Sequence, residues 1–172
     1  MFTDPLKNLK ILDIRETDVV ADLGAGSGFY TILAAKIATR GKVYAIELSK
    51  DFLKTVLNKA KEEKLGNVEC LWGDVEKVGG TKLGDAVLDK AIASNVFLQV
   101  HEKENFVREI KRILKPKGKA LVIDWSDESA IAPKSSLVSK DHLKDMFIKN
   151  GFTLERDIDA GAHHYGMIFS KL

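Results

Sequence analysis

Cysteine is almost missing from the chain. Cys70 stands alone, so no intrachain disulfide framework exists and no Cys/His metal cluster can be assembled. Proline is scarce, with 3 residues, and 13 glycines are too few for a collagen-like or low-complexity chain. No apolar run approaches the roughly 20 residues of a membrane span. Met1 to Lys10 carries charge from Asp4 onward and lacks the apolar stretch of a secretory signal. A dominant charge is missing as well: 27 Lys+Arg against 25 Asp+Glu leave a net charge of +2. That balance gives no footprint of a nucleic-acid or membrane specialist. No repeat at solenoid periods is visible. The expectation is a soluble, cytoplasmic protein with no metal site, no membrane insertion and no nucleic-acid partner; its oligomeric state is not legible.

What is present is a core. Hydrophobic residues make up 45% of 172, enough for one domain and tight for two. Short apolar runs alternate with helical patterns. Val19 to Leu23, Val43 to Ile46, Val68 to Trp72, Leu88 to Ala93 and Ala120 to Ile123 are apolar on both alternation phases, as strands buried on both faces of a parallel sheet are. Between them, Tyr30 to Ala38 is an alanine-rich helix. Leu53, Val56, Leu57 and Ala60 mark a helix after Ser49, and Phe106, Ile110, Ile113 and Leu114 mark another, stopped by Pro116 and Gly118. Leu143, Met146 and Phe147 mark a third, with Ser139 as N-cap and Gly151 as its end. This alternation predicts a doubly wound α/β sheet. Near the end, Phe152 to Ile158 and Met167 to Ser170 read as strands around the turn Asp159-Ala160-Gly161-Ala162, too close together for a crossover helix. They are expected to be antiparallel neighbours. Ser126 to Val138 reads as a long loop.

The strongest local signal is Asp22-Leu23-Gly24-Ala25-Gly26-Ser27-Gly28, joining a buried strand to a helix. Glycines there let the backbone turn sharply and approach a ligand. A dinucleotide fingerprint places its third glycine one residue later, where this chain has Phe29. Glu47 follows the second strand, 23 residues after Gly24, at the offset where a carboxylate holds a ribose diol, and Asp74 follows the third strand. In a parallel sheet all these strand ends share one rim. No Lys or Arg lies between Asp22 and Tyr30 to neutralise a pyrophosphate. An ammonium, a sulfonium, a ribose diol and an exocyclic amine suit the acids better, and S-adenosylmethionine carries all four.

These residues resemble a class I S-adenosylmethionine-dependent methyltransferase of the small-molecule branch that includes the ubiquinone/menaquinone biosynthesis type. Asp22 to Gly28 match the glycine motif, Tyr44 to Leu48 the acidic motif after the second strand, and Gly73-Asp74-Val75 the adenine-binding motif. Leu88 to Asn95 is similar to the fourth-strand motif, and Arg112 to Lys119 to the turn before the fifth strand. The resemblance runs from Val19 to Leu172. It implies a Rossmann-like α/β sheet of order 3-2-1-4-5-7-6 with the last strand antiparallel, and S-adenosylmethionine as cofactor. It also implies that Gly24 and Gly26 cradle the methionine part, with Gly28 among the cofactor-binding residues and Asp22 facing the amino group. Glu47 would take the ribose, Leu48 would lie against the adenine, Asp74 and the Val75 amide would hold its edge, and Asn95 would contact the methionine part and border the acceptor site.

Candidates for a base are few: His101 beyond the fourth strand, Asp124 closing the fifth, and Tyr165 in the last. Asp124 also suits a structural anchor. Of the adjacent His163 and His164, at most one can face a cleft. His142 reads as solvent-facing and Cys70 as a core residue, which leaves no thiol nucleophile. The Asn/Asp-Pro-Pro-aromatic signature of base N-methylation is absent after the fourth strand, where Ser94-Asn95-Val96-Phe97 stands. The reading is one domain over 1–172, with a short segment at 1–17 and no separate substrate domain. It would transfer a methyl group to a small or medium organic acceptor. Phe2, Phe97, Trp125 and Tyr165 are candidate aromatic lining. The alternatives are a nicotinamide-dinucleotide oxidoreductase and a non-catalytic S-adenosylmethionine-binding module.

Overall fold

The computed structural model describes residues 4–126 and 136–172. Phe2, and all but the ends of the Ser126–Val138 loop, lie outside the described residues.

The strands are β1 (Val19–Leu23), β2 (Lys42–Glu47), β3 (Val68–Trp72), β4 (Leu88–Ser94), β5 (Leu114–Trp125), β6 (Phe152–Asp159) and β7 (His164–Lys171). They form a seven-stranded sheet of order β3-β2-β1-β4-β5-β7-β6, as expected. The first five strands pair in parallel, and β7 runs antiparallel to both β5 and β6. The strand order reverses beside β1, which opens a crevice at the carboxyl ends of β1 and β4.

The helices are α1 (Pro5–Leu12), α2 (Phe29–Ile37), α3 (Lys50–Glu62), α4 (Lys103–Ile113) and α5 (Lys140–Lys149). Side-chain alternation along the strands sorts them onto two faces. On one face Phe106, Ile110 and Ile113 of α4 and Leu143 and Phe147 of α5 pack on Ala91, Val122 and Phe169. The Phe147 ring stacks on Phe169 at 4.2 Å, and Phe97 lies 4.8 Å from Phe106. Truncating a fully buried phenylalanine such as Phe106 would cost about 3–5 kcal/mol. On the other face Leu9 and Leu12 of α1 and Tyr30, Ala34 and Ala35 of α2 pack on Val20, Ile92 and Leu121. Val56 of α3 meets Ala45. Ser49 and Ser139 cap α3 and α5, each accepting the N–H of the residue three ahead at 3.3 Å.

Four differences from the sequence reading have physical reasons. Residues 1–17 contain α1, started by Asp4, which accepts the Lys7 N–H at 3.1 Å ahead of Pro5 in the first turn. α4 ends at Ile113, before Pro116, because Leu114 already pairs with Leu88 and β5 is 12 residues long. β3 is not buried on both faces: it is the sheet edge, Trp72 is 57% exposed, and Cys70 is only half-buried. Leu57 sits at the margin of the α3 stripe, 41% exposed.

Candidate functional site

The crevice is a cleft of about 650 Å³ between the ends of β1, β2 and β4, within the range of small-molecule sites. The glycine loop forms its floor. Gly24 and Ala25 donate their N–H groups to the Ile46 carbonyl at 2.9 and 3.0 Å, which ties the loop to β2. Gly24 has φ +72°, and a Cβ there would stand 2.7 Å from Val96 Cγ2. Gly26, at φ +51°, has nothing within 4 Å of the position a Cβ would take, so its backbone lies bare to the cleft. Gly28 is different. It caps α2 at φ +82°, its missing Cβ faces Val56 at 2.8 Å, and it is not among the lining residues. Its place is helix packing rather than the lining of the cleft, unlike the cofactor-binding place expected for it.

Asp22, at the end of β1, is 3% exposed. It accepts a hydrogen bond from Thr31 Oγ1 at 2.6 Å. Burial pushes its carboxyl up to about 6; the Thr31 hydroxyl and amide pull it back, and the charge of Glu47 adds a smaller rise. Glu47 uses its oxygens differently: Oε2 accepts the Gly26 N–H at 2.9 Å and Oε1 the Ser49 N–H at 3.0 Å. Each carboxylate oxygen retains a second lone pair for a ligand hydroxyl.

Asp74 departs from expectation. Its carboxylate bonds Lys77 at 2.9 Å and the Glu76 amide at 3.0 Å, and it is not a lining residue. The Lys77 ammonium is the main cause that holds its carboxyl below the ordinary range. Val75 and Glu76 line the cleft in its stead, together with Leu48 and Phe52. Asn95 follows β4 in a left-handed conformation, φ +59°. Its N–H donates to Ile123 O at 2.8 Å and its carbonyl accepts from Gln99 Nε2 at 2.9 Å. Asn95 Oδ1 is buried on the cleft wall and has no hydrogen-bond partner among the described residues. Tyr30 completes that wall, its hydroxyl accepting from Asn8 Nδ2 at 3.0 Å and meeting Ser94.

None of the base candidates lines the cleft. Asp124 spends Oδ2 on the Phe97 N–H at 2.9 Å and Oδ1 on the Trp125 N–H at 2.8 Å. It is 3% exposed, and burial raises its carboxyl. A carboxylate so committed anchors the chain after β4 and is not placed as a base. Tyr165 is 8% exposed and donates to Val138 O at 2.9 Å. His101 is exposed, and its backbone N–H donates to Glu76 Oε2 at 3.1 Å. Phe97 is a core residue at 0% exposure. His142 is exposed.

Several lining residues carried no motif signal: Pro5, Tyr30, Phe52, Glu76 and Gln99. Tyr30, two residues past Gly28, was the readable one, since the first turn of a helix after a glycine loop faces the ligand. Among the described residues the lining has three carboxylates, Asp22, Glu47 and Glu76, and no Lys, Arg or His. Such a wall repels a pyrophosphate and attracts a cation. The cradle at Gly24 and Gly26, the acids and the orphan Asn95 oxygen fit S-adenosylmethionine, a ligand with an ammonium and a sulfonium.

A methyltransferase-domain family model matches residues 14–160. The chain is 25% identical over 124 residues to a demethylmenaquinone methyltransferase of a Geobacillus species, covering 72% of this chain and 52% of that protein. It is 28% identical over 123 residues to a protein-L-isoaspartate O-methyltransferase of Thermosipho melanesiensis, covering 63% and 62%. It therefore spans about half to two-thirds of the length of these curated relatives. Among solved structures, a SAM-dependent methyltransferase from Aquifex aeolicus superposes with a TM-score of 0.90 at 28% identity, over 99% of this chain and 91% of that one.

Proposed function

The chain belongs to the methyltransferase-domain family, whose cofactor is S-adenosylmethionine, and from that footing we propose that it transfers a methyl group to a small or medium organic acceptor. The observation that carries this reading is the lining of the cleft among the described residues: three carboxylates, no cationic side chain and a bare glycine backbone. An anionic dinucleotide suits that wall poorly, so the oxidoreductase alternative loses its footing.

In this reading Asp22 faces the ligand ammonium, and the two oxygens of Glu47, already aligned by the Gly26 and Ser49 amides, take the ribose hydroxyls. Leu48 and Phe52 hold the flat faces of the adenine, and the Val75 amide meets its edge. Asp74 would reach the adenine amine only by leaving Lys77. Asn95 Oδ1 supplies an acceptor on the wall toward the acceptor side. Bound there, the cofactor supplies a methyl already activated on a sulfonium, so alignment contributes more than proton transfer. That agrees with a cleft in which Asp124, His101 and Tyr165 do not stand ready as bases. The net charge of +2 offers little to a nucleic-acid backbone, which supports a small or medium organic acceptor over a nucleic acid. We read 1–172 as one methyltransferase domain.

The test is production of S-adenosylhomocysteine from S-adenosylmethionine with a panel of phenols, amines, thiols and carboxylic acids. Acceptor-dependent production supports methyl transfer. Tight cofactor binding with no turnover on any acceptor class would contradict it and favour the non-catalytic module.

A further inference from the structure

Beside the cleft, the rim of the sheet carries a second polar group without a partner. Trp125, the last residue of β5, faces His164, the first of β7, in the antiparallel register. Their rings lie 4.2 Å apart, tilted by 36°. Both His164 nitrogens are buried and find no hydrogen-bond partner among the described residues. A neutral imidazole holds one donor and one acceptor, and buried polar groups are nearly always paired. A ring fixed by an aromatic neighbour with both nitrogens unmet is the state expected of a group whose partner arrives with a ligand.

Its place on the sheet says which ligand. Ser94, a lining residue of the cleft, stands opposite Ile123, and Ile123 stands opposite Gly166. Trp125 and His164 form the next row on the same face, one step toward the carboxyl end of β5. With neighbouring strands about 4.8 Å apart and a rise of about 3.3 Å per residue, two strands across and two residues along put His164 about 12 Å from Ser94. The first turn of α1 runs along this same stretch. Pro5 lines the cleft, and Lys7 pairs at 3.5 Å with Asp159, which stands opposite Tyr165. Burial, with a smaller contribution from His163, holds the His164 imidazole below its ordinary value of 6.5, so the ring is neutral at physiological pH.

Resting on the methyl-transfer reading, we propose that the acceptor lies across the rim from β4 to β7, and that His164, backed by Trp125, hydrogen-bonds a neutral hydroxyl or carbonyl at its far end. His164 is then a specificity residue. It touches the acceptor away from the transferred methyl, and no proton of the reacting atom passes through it. The substrate class is an apolar body of about 10–12 Å with a polar group at each end.

The experiment uses the full chain with ¹⁵N-labelled histidine, saturated with S-adenosylhomocysteine. The probes are 4,4′-dihydroxybiphenyl and 4-hydroxybiphenyl, with the His164 signals assigned by their loss in His164→Phe. The expected result is a shift of the His164 nitrogens with the dihydroxy probe, and three- to tenfold weaker binding of that probe by His164→Phe. 4-Hydroxybiphenyl should bind both proteins alike. S-adenosylhomocysteine affinity of His164→Phe should stay within twofold, and His164→Gln, which keeps a donor and an acceptor, should recover part of the probe affinity. Unmoved His164 signals, no binding of the dihydroxy probe, or equal binding by His164→Phe would overturn the proposal. Failure of the protein to bind S-adenosylhomocysteine at all would overturn the methyl-transfer reading beneath it as well.

Discussion

Replacing Asp22 with asparagine should make the protein more stable and a worse binder. The carboxyl is 3% exposed and rises from 3.8 to about 6 on folding. At 1.36 kcal/mol per tenfold change in proton affinity, keeping it ionised at neutral pH costs about 3 kcal/mol. Solvent screening takes little off that figure at a site so buried. Below pH 3.8 the folded and unfolded chains both hold the proton. Between 3.8 and about 6 the unfolded chain has lost it while the folded chain keeps it, so stability from this group falls as pH rises. Above about 6 the penalty is constant. Asparagine keeps the acceptor oxygen that Thr31 Oγ1 bonds at 2.6 Å and removes the charge. Asp22→Asn should therefore gain up to about 3 kcal/mol at pH 7.5, a rise in Tm of roughly 5–10 °C, and almost nothing at pH 4. The same substitution removes the charge that would meet the ligand ammonium, a loss of about 1.5–3 kcal/mol or ten- to a hundredfold in S-adenosylhomocysteine affinity. Urea unfolding at the two pH values and calorimetric binding read both effects. A variant that is less stable than wild type at pH 7.5, or that binds as tightly, refutes the reasoning.

Three further substitutions separate ligand contacts from scaffolding. Asp124→Asn leaves one of the Phe97 and Trp125 amides facing a donor, so stability should drop by about 1–3 kcal/mol while S-adenosylhomocysteine affinity stays within a few-fold; a large affinity loss in the folded variant would place Asp124 at the ligand. Gly28→Ala sets a Cβ 2.8 Å from Val56 Cγ2 at φ +82° and should cost about 1–3 kcal/mol, partly recovered by Val56→Ala, as thermal melts would show. Asp74→Asn tests whether the carboxylate leaves Lys77 for the adenine: a tenfold weaker S-adenosylhomocysteine complex says that it does, and unchanged binding says that the Lys77 pair is its whole role.

The parallel α/β character of the sheet was legible because each of the first five strands is apolar on both phases and three of their four crossovers carry a helix period, whereas the strand order was implied by the resemblance to the methyltransferase family. The antiparallel end was legible from the short turn at Asp159 to Ala162, which leaves no room for a crossover. What was not legible depended on neighbours. The residues of β3 read as buried on both faces, although the strand order implied by the resemblance already put it at the edge; apolar residues alone do not show that its faces are only partly covered. Gly28 and Gly26 look alike in the motif, but only the packing of α3 shows that one faces Val56 and the other the cleft. Asp74 and Glu76 are two residues apart, and a local contact with Lys77 decides which of them lines the cleft. Asp124 reads as a base because it closes a strand at the rim. The chain after β4 bends back over it, and the Phe97 amide, 27 residues away, takes one oxygen while the Trp125 amide takes the other. α1 had its own signal in Asp4-Pro5, easily passed over beside a glycine motif.

The most direct measurement is isothermal titration of the protein with S-adenosylhomocysteine and, separately, with NAD, repeated for Glu47→Ala. The account predicts one S-adenosylhomocysteine site per chain, no competing NAD site, and binding ten- to a hundredfold weaker in the folded Glu47→Ala variant, the loss of a charge-assisted pair of about 1.5–3 kcal/mol. NAD bound more tightly than S-adenosylhomocysteine, or a Glu47→Ala variant with wild-type affinity, would contradict it.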